Sequence, residues 1–111
     1  MEESRAAERY VVEAPVTIST DLGDREKTVS GTTVNISSAG ALIEVRRHGM
    51  KPGLRVRLEV LLSIRLLREL FGASEKARVK VGGYVVRVSR GNLAVRFDKA
   101  YALEPATATT R

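Results

Sequence analysis

Leu54-Arg55-Val56-Arg57-Leu58-Glu59-Val60 decides the fold, because its apolar residues fall at every second position with charged residues between them. Successive strand side chains point to opposite faces, so a period of two describes a strand with one buried and one solvated face. The pattern recurs on both sides. Upstream, Val12, Ala14, Val16 and Ile18 alternate with Glu13, Pro15, Thr17 and Ser19, and Pro15 marks this as an edge or end strand. Asp21-Leu22-Gly23-Asp24 is a turn, and Lys27 to Asn35 is a second strand rich in Thr and Val. After the small polar stretch from Asn35 to Gly40, Ala41, Ile43 and Val45 resume the alternation, and Lys51-Pro52-Gly53 turns the chain into the stretch quoted above. Downstream, Lys76 opens a long strand. Val79 and Val81 share one phase there and Tyr84, Val86 and Val88 the other, so a bulge is expected at Gly82-Gly83. Ser89-Arg90-Gly91-Asn92 is a hairpin turn into a last strand carrying Leu93, Val95 and Phe97.

Between the fourth and fifth strands the period changes. Spaced at about 100° per residue, Ile64, Leu66, Leu67, Leu70 and Phe71 share one arc and Arg65, Arg68 and Glu69 the other. Ser63 is a suitable N-cap and Gly72 a suitable left-handed terminator. A helix this short must dock its apolar face, and capping an open end of the barrel explains it better than a protein-docking role. About six strands joined by short turns predict an all-β fold, a small six-stranded antiparallel β-barrel with one short accessory helix. Residues 1–9 read as a flexible N-terminal arm, 10–104 as the barrel and 105–111 as a loosely ordered tail.

A chain of 111 residues that is 43% apolar has room for one core. It has no cysteine, which removes disulfides and thiolate chemistry and makes a reducing cytoplasm the expected setting. No apolar run is long enough to span a bilayer, so no membrane insertion is expected. The net charge of +6 favours an anionic partner. Two runs carry much of it: Arg46, Arg47, Lys51, Arg55 and Arg57, then Lys76, Arg78, Lys80, Arg87 and Arg90, with no acid inside either.

Two motifs remain. Arg5-Ala6-Ala7-Glu8-Arg9 precedes the first strand, and Asn35-Ile36-Ser37-Ser38-Ala39-Gly40 links the second strand to the third. Taken alone, the arginine pair reads as solvated arm residues, and Asn35, Ser37 and Gly40 read as ordinary turn formers. An Asn or Asp followed by Ser two later and Gly three after that arises in roughly one in twenty chains of this length. The weight comes from order and position. Together RAAER and NISSAG resemble the PilZ family, whose members carry R-x-x-x-R ahead of the first barrel strand and D/N-x-S-x-x-G between the second and third.

That resemblance extends from Arg5 to Asp98 and implies a barrel that binds the bacterial second messenger cyclic di-GMP. It implies that Arg5 and Arg9 hold guanine edges and phosphates as the arm folds over the ligand. The planar fork of arginine suits both targets. Asn35 and Ser37 would hydrogen-bond the nucleotide, and Gly40 would permit a turn that a side chain obstructs. With no output module visible, such a chain relays occupancy to an unidentified effector protein through a changed surface. No cofactor and no metal are expected. The helix over Ser63 to Gly72 is a departure from the family pattern.

Three other readings stand beside this one. A PilZ-like adaptor working through protein contacts alone is the runner-up. A basic nucleic-acid-binding barrel would use the outward Arg55, Arg57, Arg78 and Lys80, but aromatics are only 5% of the chain and form no stacking platform. An enzyme is not expected: His48, the one histidine, reads as a solvated loop residue, and no nucleophile, glycine-rich phosphate loop or carboxylate pair accompanies it.

Overall fold

The computed structural model describes residues 9–46, 48–72 and 77–105. Among the described residues, alternating residues build seven strands: β1 (Tyr10–Val11), β2 (Pro15–Leu22), β3 (Arg25–Ile36), β4 (Gly40–Glu44), β5 (Arg55–Leu61), β6 (Ala77–Ser89) and β7 (Asn92–Pro105). All pairings are antiparallel, in the order β3-β2-β5-β6-β7-β4, and β4 returns to β3 to close a six-stranded barrel. Closure leaves no open edge along these six strands. The two-residue β1 continues the line of β2 along β3, with Tyr10 opposite Ile36 and Val11 opposite Asn35. Pro15 opens β2, which lies between β3 and β5, so the proline marks a strand end and not a sheet edge.

The quoted stretch behaves as read: Val56, Leu58 and Val60 are buried and Arg55 and Arg57 exposed. They face Val16, Ile18, Ile43, Val79 and Leu93 in a single core. In β6 the phase expectation is corrected. Val79, Val81, Gly83 and Val85 all point inward, and Tyr84 and Val86, expected to share an inner face, are 36% and 44% exposed. The break comes later: Val85 pairs with Val95 but Arg87 with Ala94, so Val86 is the inserted residue. A second irregularity faces Gly82 from the other strand, because β7 places extra residues between Phe97 and Tyr101, opposite Gly83 and Val81. That insertion hides the alternation of β7, which runs on to Pro105 through residues expected to end the barrel and begin the tail.

The helix α1 (Ile64–Phe71) forms where the period changed. Ser63 Oγ accepts from the Leu66 amide at 3.3 Å, and Gly72 ends the helix at φ 69°, a conformation that costs a residue with a Cβ. Leu66, Leu67 and Phe71 join the core, while Ile64, on the edge of the expected apolar arc and first in the helix, is 42% exposed. The Phe71 ring meets Tyr101 edge-on at 4.8 Å, and Tyr101 donates its hydroxyl to the Phe71 carbonyl, tying α1 to β7. His48 is also corrected. It is buried, its Nδ1 accepts from the Met50 amide at 2.9 Å and its carbonyl accepts from Lys27 Nζ, so it holds the β4–β5 loop.

Candidate functional site

Asn35 owes its orientation to an irregularity in β3. Thr33 pairs with Ile43 but Asn35 with Leu42, so Val34 is one residue more than β4 can match. The inserted residue turns Thr33 and Ile36 both inward and leaves Val34 and Asn35 on the outer face. Beside them runs β1, which brings Arg9 to Asn35: Arg9 Nη1 donates to Asn35 Oδ1 at 3.1 Å. The two sequence motifs are thereby in contact. Arg5 lies outside the described residues.

The placement of β1 depends on Thr33. Between β1 and β2 the chain leaves the ladder at Val12–Ala14, and those backbone groups need partners. The buried Thr33 hydroxyl supplies two, accepting from the Ala14 amide at 2.8 Å and donating to the Val12 carbonyl. The Thr33 amide in turn donates to the Ala14 carbonyl at 2.9 Å. Tyr10 packs against the core from β1.

Ser37 and Gly40 shape the turn, one by hydrogen bonding and the other by close packing. Ser37 is buried, its Oγ accepts from the Ala39 amide at 3.1 Å, and its own amide donates to the Gly40 carbonyl at 2.8 Å. Its hydroxyl therefore shapes the turn. Gly40 does not have a positive φ. It is required by close approach, since a Cβ there would stand 2.3 Å from the Val95 carbonyl oxygen of β7. The turn is pinned to β7 again where the Phe97 amide donates to the Ala39 carbonyl at 2.8 Å.

Register across β4, β7 and β6 adds residues that the motifs do not contain. Arg96 sits opposite Gly40 on one side and Tyr84 on the other, and Arg87 sits opposite Ala94, which faces Leu42. Arg87 and Arg96 are exposed and form no ion pair among the described residues. The alternation of Leu93, Val95 and Phe97 already points Arg96 outward, but only the register sets it beside Gly40. Val11, 90% exposed, and Val34 add apolar surface next to Asn35.

The cations of β5 and of the first half of β6 are paired. Arg55 meets Asp98 at 2.8 Å, Arg57 meets Asp21 at 3.2 Å and also Glu26, Arg78 meets Glu59 at 3.3 Å, and Lys80 meets Glu104 at 3.1 Å. The hydrogen bonds that Arg57 donates to Asp21, then to Glu26, raise its pKa above the ordinary arginine value. Acid-free runs in the sequence thus acquire acids from neighbouring strands, and the β2–β5–β6 face offers a polyanion little uncompensated charge. A groove of about 330 Å³ on that face, lined by Thr17, Ser19, Arg57, Glu59, Lys80 and Gly82, is flanked by these closed pairs.

The family model for the PilZ domain matches residues 3–103. Among solved structures, the chain is similar to the crystal structure of the PilZ domain of CeSA from a cellulose-synthesizing bacterium. The two share 16% sequence identity at a TM-score of 0.60, over 82% of this chain and 80% of that one, a likeness of fold. No curated protein sequence matches it.

Proposed function

Because the chain belongs to the PilZ family, whose domains are receptors and not enzymes and generally bind cyclic di-GMP, we propose that it binds this messenger at the β3–β4 turn. Arg5, Arg9, Asn35, Ser37 and Gly40 form the site in this reading. The observation that carries it is the Arg9–Asn35 hydrogen bond, which joins motifs 26 residues apart on one exposed face. Arg9 spends one donor on Asn35, and its remaining N–H groups can pair with a guanine O6/N7 edge or a phosphate. Asn35, with its oxygen occupied by Arg9, has amide hydrogens to give to the ligand. Ser37 and Gly40 hold the turn against β7, so that the backbone around Ser38 presents itself to the nucleotide. Arg5 closes the site from the chain preceding Arg9.

Occupancy then alters the surface around β1, and that altered surface is what an effector protein reads. A bacterial cytoplasmic setting belongs to the same proposal. Among the described residues no helix is long and apolar enough to cross a membrane.

Calorimetric titration tests the reading. Cyclic di-GMP is expected to bind saturably and GTP not to substitute for it. Arg9→Ala is expected to weaken binding by about 1.5 to 3 kcal/mol, the scale of a hydrogen bond to a charged group. No saturable heat from the wild-type chain would overturn nucleotide binding and leave an adaptor acting through protein contacts alone.

A further inference from the structure

The outer row Gly40–Arg96–Tyr84–Arg55 crosses β4, β7, β6 and β5 in register. Its first position has no side chain, so nothing from β4 stands between Arg96 and the turn. Its last position, Arg55, is drawn to Asp98 by two hydrogen bonds, at 2.8 and 3.3 Å. That pairing also occupies Asp98, the acid two residues along the same face from Arg96. What remains is an exposed guanidinium with no ion pair among the described residues, one strand from an exposed tyrosine. The row contrasts with Arg57, Arg78 and Lys80, each closed by a carboxylate.

We propose that Arg96 and Tyr84 form a second nucleobase subsite, Arg96 pairing with the O6/N7 edge of a guanine and Tyr84 giving its ring as a stacking surface. Guanidinium recognition of that edge and aromatic stacking of a base are the two commonest ways a protein holds a purine. From Asn35 the path to Arg96 crosses two strand spacings and advances two residues, roughly 12 Å between Cα atoms. A ligand with two guanines joined through phosphate can place one base at each end of that span. Arg87, exposed on β6 at the far end of the row Asn35–Leu42–Ala94–Arg87, adds positive charge diagonally beside Arg96. This rests on the function proposed above and extends it: the motif end engages one base, and the β6–β7 end selects for a second.

The test is titration of cyclic di-GMP into the wild-type chain, Arg96→Ala, Arg96→Lys, Tyr84→Ala and Arg78→Ala, with circular dichroism as a check on folding. Arg96→Ala is expected to weaken binding about tenfold or more, and Arg96→Lys nearly as much, since lysine keeps the charge but lacks the fork. Tyr84→Ala is expected to cost about fivefold or more. Arg78→Ala, which removes the same charge from a closed pair, is expected to change affinity by about twofold or less. If the wild type binds and Arg9→Ala weakens it, but folded Arg96→Ala matches Arg78→Ala, the second subsite is wrong and the first stands. Full rescue by Arg96→Lys would reduce Arg96 to a general charge and overturn the base contact. If the wild type does not bind, both proposals fall.

Discussion

Thr33→Val is expected to destabilise the chain by about 2 to 4 kcal/mol, a large effect for a substitution that exchanges one hydroxyl for a methyl group. Thr33 is 1% exposed, so water cannot replace what is lost. Its oxygen satisfies the Ala14 amide and the Val12 carbonyl where the chain passes from β1 to β2. Each buried backbone group left without a partner costs about 1 to 3 kcal/mol. The loss also falls on the site. β1 has only two ladder positions on β3, so without the Thr33 clamp it has little to hold Arg9 against Asn35. Urea denaturation should show a lower midpoint with an unchanged slope, and affinity for cyclic di-GMP should fall in the folded variant. A midpoint within error of wild type would show that β1 is held some other way.

Leu67→Ala is expected to cost about 3 to 5 kcal/mol, enough to leave a domain of this size marginal or unfolded at room temperature. Leu67 is fully buried, and α1 has only Leu66 and Phe71 as its other buried residues. An eight-residue helix has no stability of its own and depends on that face. Thermal unfolding followed by circular dichroism measures the loss. A cost below about 1 kcal/mol would mean that α1 is dispensable to the barrel.

Both residues bear on what could be read from the chain. The barrel was legible because a period of two in Val56, Leu58 and Val60 has one physical meaning, and the helix because Ser63 and Gly72 bracket a period near 3.6. Within the strands, what failed failed at insertions. An extra residue in a strand reverses every later side chain, and the sequence marks neither Val86 nor the added residues before Tyr101 as insertions. Tyr84 was therefore assigned to the wrong face, and β7 was ended too early.

The site shows the same limit. Arg9 and Asn35 were paired by motif and do meet, and Ser37, read from its residue type as a turn former, has its hydroxyl in the turn. Gly40, read as the residue of a turn that a side chain would obstruct, has that role through the closeness of the Val95 carbonyl and not through a positive φ. Thr33, which locates β1, carries no sequence signal, because a buried threonine and an exposed one look alike in a β-rich segment. Arg96 belongs to a strand that the motifs do not mention.

Amide chemical-shift mapping during titration with unlabelled cyclic di-GMP tests the central claim most directly, because it reports where the ligand sits as well as whether it binds. The account predicts saturable shifts concentrated at Tyr10, Val11 and Asn35 through Gly40, with a second group at Tyr84 and Arg96, and little change at Thr17, Ser19 and Glu59. Shifts confined to the β2–β5–β6 face, with Asn35 through Gly40 unmoved at saturation, would contradict it.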